Sequence, residues 1–209
     1  MDTHVGHLSY KFYRLTQAYL HPGYAKEKDV LLRQFEAHRA RRSGSKPPRI
    51  LELACGLGDL SGVFPIENYL GVDSSQARIA AARAANPGRH FEIVDVTSAH
   101  FDELIACADF IFCHGLLHHL NDENCRALIK RVYRLALRPA TFVAMEPLAP
   151  ERPLLNPLGW LICKMDEGYF IRHADGYQAL FTGWNFSTDH YDLMPRFPLD
   201  MEAYVLPIL

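Results

Sequence analysis

Between residues 49 and 147 five short apolar runs alternate with helix-forming stretches, and this alternation constrains the fold more than any other feature. The runs, at 50–53, 69–73, 90–94, 109–113 and 141–145, have strand length, and each is closed by a polar or glycine-containing turn. Between them, 76–85 is rich in alanine, a strong helix former. The stretch 122–137 carries Leu128, Val132, Leu135 and Ala136 at helical spacing, behind an Asn121 placed to cap its first turn. Repeated strand-helix-strand units predict an α/β fold: a three-layer sandwich around a mostly parallel sheet.

The flanks read differently. Residues 8–38 carry two helical stripes, one of Leu8, Phe12, Leu15 and Tyr19, the other of Val30, Leu31 and Phe35, separated by His21, Pro22 and Gly23. With the polar linker RRSGSKPP at 41–48 they form an N-terminal helical cap, so the expected division is 1–48 cap and linker, 49–147 core, and 148–209 insert and closing strands. Arg39, Arg41, Arg42 and Lys46 could touch an anionic substrate, but such a run reads first as a solvated linker surface. In the last segment, 185–197 and 203–209 read as strands joined by 198–202, giving an antiparallel carboxyl-terminal edge. The apolar stretch before them, around 153–171, is expected to be helical and to pack on the sheet.

Apolar types make up 49% of the chain and charged types 22%, the balance of a water-soluble globular protein. Lys plus Arg number 22 against 24 Asp plus Glu, which leaves no global field for a nucleic-acid backbone or an anionic membrane, so nucleic acid is disfavoured as a partner. The five cysteines, at 55, 107, 113, 125 and 163, form no C-x-x-C pair and stand beside no histidine at finger spacing, so no metal site is expected. Free thiols suit a reducing compartment, and the expected location is cytoplasmic. No signal peptide is visible, and no run approaches the roughly 18 uncharged apolar residues of a spanning helix. Oligomeric state is left open.

The first run ends in Glu52-Leu53-Ala54-Cys55-Gly56-Leu57-Gly58, a turn of small residues against which a ligand can lie. Asp73 closes the second run 21 residues after Glu52, where a carboxylate can accept both hydroxyls of a ribose, and Asp95 follows the third run 22 residues later. Ligands of open parallel sheets bind outside the carboxyl ends of the strands, so these residues converge on one crevice. Here the chain resembles the class I S-adenosylmethionine-dependent methyltransferases. ILELACGLG at 50–58 is similar to their glycine motif, LGVDSS at 70–75 to their ribose motif, EIVDV at 92–96 to their adenine motif, and DFIFCHGLLHHL at 109–120 to their fourth strand and following turn.

That resemblance implies a Rossmann-like fold with S-adenosyl-L-methionine as cofactor. Glu52 faces the methionine amino group, the turn residues Ala54, Cys55, Gly56 and Gly58 let the cofactor approach the backbone, and Asp73 takes the ribose hydroxyls with Ser74 beside the adenine. Asp95 accepts from the adenine amine, the Val96 N–H faces a ring nitrogen, and the Cys113 carbonyl binds the amino group. Ala54 stands where the family has glycine, which narrows the turn's steric tolerance. A nicotinamide dehydrogenase fits less well: Ser61 replaces the third glycine of its fingerprint, and Asp59 opposes a pyrophosphate at the helix start.

Transfer of a methyl group from a sulfonium needs alignment and exclusion of water, plus a proton acceptor if the nucleophile is a hydroxyl or protonated amine. His118 and His119 are the candidate bases. His114, Glu146, Trp160 and the cap residue Tyr13 are candidate substrate contacts, Tyr13 together with Tyr10, Phe12 and Tyr24. Glu146 reads equally as a solvated carboxylate in a turn. The insert's Leu154, Leu155, Leu158, Leu161 and Ile162 could wall a pocket for a small, apolar or aromatic acceptor. The acceptor atom is open. The readings kept beside a small-molecule methyltransferase are a non-catalytic nucleoside-binding partner in a biosynthetic complex, a lipid enzyme resting on a membrane surface, and an RNA methyltransferase.

Overall fold

The computed structural model describes residues 24–42, 46–96, 98–166, 168–192 and 199–209. The expected first cap helix, with Tyr10, Phe12 and Tyr13, lies outside them. Helix α1 (Ala25–Arg41) precedes β1 (Ile50–Leu53), β2 (Tyr69–Asp73), α2 (Gln76–Ala85), β3 (His90–Ile93), α3 (Ala99–Cys107), β4 (Phe110–His114), α4 (Asp122–Leu135) and β5 (Ala140–Pro147). After β5 come α5 (Pro157–Met165), α6 (Ala174–Leu180), β6 (Ser187–Asp192) and β7 (Asp200–Ile208). Side-chain oxygens start α2 to α5: Ser75 accepts from Arg78 N, Ser98 from Phe101 N, Asn121 from Asn124 N, and Asn156 from Gly159 N.

The sheet runs in the order β3-β2-β1-β4-β5-β7-β6. The first five strands are parallel, with Leu53 opposite Val72 and Cys113, and β7 lies antiparallel between β5 and β6. The strand order reverses direction at β1, between β2 and β4, where a crevice opens at the carboxyl ends. All four residues of β1 are buried, as a central strand covered on both faces requires. Its alternate side chains divide between two apolar clusters: Leu51 and Leu53 join the cluster with Phe101, Ile129 and Tyr204, and Ile50 joins that of Phe35, Phe64 and Phe110.

Helix α1 is pinned at the amino-terminal end of the sheet, where Arg42 pairs with buried Asp109 at 3.0 Å and His38 Nδ1 lies 3.0 Å from Thr141 Oγ1. Val30, Leu31 and Phe35 then bury one face of α1, and its first turn brings Glu27 to within 3.9 Å of His114 at the end of β4. The fold is the expected one, with local corrections. Helices α3 and α6 were not anticipated, although Phe101, Leu104 and Ile105 have helical spacing. Residues 200–202, expected in a connector, begin β7. The insert does not pack as expected: Leu154 is 95% exposed, Leu155 75% and Tyr169 91%, so its apolar side chains largely face outward. No described helix is long and apolar enough to cross a membrane.

Candidate active site

The chain leaves β1 through three left-handed residues, Ala54 (φ 53°), Gly56 (φ 54°) and Gly58 (φ 73°). Ala54 takes a conformation that costs a residue with a Cβ roughly 1–2 kcal/mol. The turn is held by Cys55 N donating to Val72 O at 2.9 Å and by Asp73, whose Oδ2 accepts from Gly56 N at 3.1 Å and Oδ1 from Ser75 N at 2.8 Å. Each carboxylate oxygen of Asp73 keeps a further lone pair for a ligand hydroxyl. A Cβ on Gly56 would meet no atom within 4 Å, so this glycine borders open space. Gly58 does not: a Cβ there would stand 2.6 Å from Phe91 Cζ, and packing against β3, rather than access for a cofactor, explains the glycine.

Glu52 is buried beside this turn and accepts a hydrogen bond from the Tyr69 hydroxyl. Burial pushes its carboxyl up to about 8, against the lowering effect of that bond and with help from the Asp59 and Asp73 charges. Tyr69 reaches it by lying over Gly71, the residue opposite Glu52 in the β1–β2 register. Ser74 is exposed past β2; Asp95 and Val96 are exposed past β3, where the Asp95 carbonyl accepts from Ser98 N at 3.0 Å. Cys113 is fully buried between β1 and β5, leaving its backbone as the part a ligand can use.

The loop after β4 is organised by Glu146. Fully buried, it accepts from Leu116 N at 3.0 Å and Leu117 N at 2.7 Å through Oε1, and lies 2.8 Å from His118 Nδ1 through Oε2. It is therefore an internal anchor, and neither expectation for it, substrate contact or solvated turn, fits. On its other side, His118 Nε2 stands 3.4 Å from Asp166 Oδ1 of the insert. Burial alone lowers the pKa of His118, but Asp166 and Glu146 outweigh it and hold the imidazolium to about 9. The two flanking carboxylates thus favour the protonated ring, which weighs against the general-base role expected of His118. His119, its ring 4.3 Å from that of His118, is held below the usual imidazole range by lost solvation and then by His118. It also feels Arg78 in the first turn of α2.

The insert is tied down at the same place. A Cβ on Gly168 would run into the His118 ring, and Gly168 N donates to Asp166 Oδ1 at 2.6 Å. Arg172 donates to Asp122 at 2.7 Å and to the carbonyls of Leu117, Leu120 and Phe170. Tyr69, Asp166 and Gly168 were not foreseen, and Arg172, read from the sequence only as a residue that could meet a membrane surface, is bonded inward instead; polar and glycine residues inside an apolar insert were the available signal. Among the substrate candidates, half-buried His114 meets Tyr24 edge to face with centroids 5.8 Å apart, and Trp160 is 44% exposed on α5 with the Lys164 ammonium over its ring. Tyr13 lies outside the described residues.

Residues 50–139 match a family model described as a methyltransferase domain. The trans-aconitate 2-methyltransferase of Variovorax paradoxus (strain S110) is 28% identical over 155 residues, covering 65% of this chain. The chain spans 58% of that curated relative's length. Among solved structures, the plantazolicin methyltransferase BpumL in complex with SAH aligns over 98% of this chain and 92% of its own, with a TM-score of 0.70 and 14% identity. Magnesium protoporphyrin IX methyltransferase from Synechocystis PCC 6803 with bound SAM aligns over 88% and 80%, with a TM-score of 0.54 and 16% identity. At these identities the structural likeness establishes a shared fold.

Proposed function

We propose, from the premise that this chain belongs to the class I S-adenosylmethionine-dependent methyltransferases, that it transfers a methyl group to a small-molecule acceptor bound between the β4 loop and the insert. The observation that carries this reading is the open, left-handed Gly56, whose N–H donates to the Asp73 carboxylate at the point where the strand order reverses. A nucleoside fits there: the site offers carboxylates and bare backbone, and a cofactor with sulfonium and ammonium charges offsets the cost of burying Glu52 as an anion. Asp73 takes the ribose hydroxyls, Glu52 the ammonium, and Asp95 with Val96 N–H the adenine edge. The cofactor, when bound, would supply an electrophilic methyl carbon with a thioether as its leaving group, for an acceptor lone pair aligned opposite the sulfur.

The protein's part is alignment and shelter. His119, not His118, is the imidazole with a lone pair at neutral pH, so any acceptor proton taken by a side chain of this loop goes to His119. The insert's Leu158, Trp160 and Leu161 contribute apolar surface for the body of the acceptor. Calorimetric titration with S-adenosylhomocysteine tests the cofactor half: the wild type binds, Asp73→Ala does not, and a wild type that binds neither the cofactor nor its demethylated product overturns the reading. Incubation with methyl-labelled cofactor and cell extract tests turnover. Label in a small molecule supports it; tight binding without transfer shows a nucleoside-binding module instead, and label in purified RNA shows an RNA enzyme.

A further inference from the structure

We infer that His118 Nε2, a ring nitrogen of His119 and a carboxylate oxygen of Asp166 form a site for one divalent transition-metal ion, zinc by its donor set, at the carboxyl end of β4. These donor atoms all lie within 4.8 Å of one another. The 3.4 Å between His118 Nε2 and Asp166 Oδ1 matches the edge of a tetrahedron whose metal–ligand bonds are about 2.1 Å. Two imidazoles and one carboxylate are the protein ligands of a catalytic zinc site, in which a further position stays open.

The surroundings of His118 make this more than proximity. A ligating histidine ordinarily donates its second ring N–H to a carboxylate, which fixes the tautomer and aims the other nitrogen at the metal. Glu146 stands in that place, 2.8 Å from Nδ1, fully buried and itself held by Leu116 N and Leu117 N. Gly168 closes against the same ring, so its orientation is set before any ion arrives. The second cluster of similar composition, His190, Asp192 and Asp200, is exposed at all three residues. The sequence offered no sign of such a site because Asp166 lies 48 residues beyond His118, outside any metal-binding spacing.

Binding of the ion does not depend on the methyltransferase reading, but its use does: the open position takes an oxygen of the acceptor, a carboxylate or a hydroxyl. A hydroxyl bound there is more acidic, so its proton passes to solvent and the bare oxygen attacks the methyl carbon as the carbon–sulfur bond breaks; His119, its lone pair on the ion, then replaces its metal-free role as base with that of ligand.

The test is titration of the metal-stripped, untagged 209-residue chain with Co²⁺, read by the visible bands of a low-coordinate cobalt centre, followed by displacement with Zn²⁺. One equivalent binds to the wild type. Asp166→Asn and His119→Gln each lose the bands, and Glu146→Gln weakens binding about 10- to 100-fold. Retained binding of S-adenosylhomocysteine by Asp166→Asn shows that the variant is folded. A wild type without the cobalt bands, or bands undiminished in both ligand variants, overturns the site. Cobalt binding in a protein that binds no S-adenosylhomocysteine leaves the site standing and removes the methyltransferase reading; the reverse result does the opposite.

Discussion

At the scale of single residues the glycine turn separates two reasons for lacking a side chain. Gly56→Ala adds a methyl to open space, so it costs about 1–2 kcal/mol of stability through its positive φ while S-adenosylhomocysteine affinity falls at least about tenfold. Gly58→Ala drives the methyl into Phe91 as well, and the added overpacking brings its cost to roughly 2–5 kcal/mol. Urea unfolding beside calorimetry distinguishes the pair, and equal losses of affinity and stability in both would refute the assignment. Ala54→Gly goes the other way and raises stability by about 0.5–1 kcal/mol, because the relief of strain exceeds glycine's entropic cost. Glu52 gives a pH signature. Its folded pKa, about 8, lies above its ordinary 4.5, so the apo fold holds this proton more tightly than the unfolded chain does. That stability is fully present below about pH 4.5 and is lost as pH rises through 8. A bound ammonium favours the carboxylate, so affinity for S-adenosylhomocysteine rises from pH 6.5 to 8.5. Glu52→Gln removes the slope. Tyr69→Phe, which takes away the hydrogen bond that lowers this pKa, moves its midpoint upward.

Among the elements, α5 and the segments around it decide how an acceptor is enclosed. Leu154 and Leu155 extend into solvent, so Leu154→Glu and Leu155→Glu change the thermal midpoint by no more than the equivalent of about 0.5 kcal/mol. A large drop would show that these leucines are buried after all. Arg172 is the opposite case: its guanidinium satisfies three carbonyls and Asp122 while itself largely buried. Arg172→Ala leaves those acceptors unpaired, costs roughly 2–4 kcal/mol, and makes the 148–172 stretch the first site of limited proteolysis. How much of this was legible follows from range. Strand runs and helix caps are local, so β1, β2 and α2 could be read residue by residue, as could Asp73 from its distance to Glu52. The Tyr69–Glu52 bond depends on how β1 and β2 align, and the His118–Asp166 contact joins segments that only the finished fold brings together. The outward-facing insert was misread because apolar residues at helical spacing say that a face exists, not what covers it.

For the whole molecule, the sheet order places chemistry and stability at opposite ends. The glycine turn, the β4 loop and the tethered insert crowd the carboxyl ends of β1, β4 and β5, while the amino-terminal ends are closed by Asp109, His38 and Thr141 beneath α1. Strand β7 serves the second purpose. It pairs with β5 from Ala140–Ile208 to Pro147–Met201, and its Tyr204, Leu206 and Ile208 are fully buried in the larger apolar cluster. Leu206 lies opposite Phe142, near the closed end. Leu206→Ala should therefore lower stability by about 2–5 kcal/mol, a large share of the roughly 5–15 kcal/mol that holds a domain together. Below the unfolding transition its affinity for S-adenosylhomocysteine stays within about twofold of wild type, because a cavity opposite Phe142 removes no group from the crevice. A chain ending at residue 186 loses both antiparallel strands and with them one side of β5, so it should show no near-ultraviolet circular dichroism and no cofactor binding. If Leu206→Ala instead lost affinity in proportion to stability, the two ends of the sheet would be coupled, and the division of labour between them would be wrong.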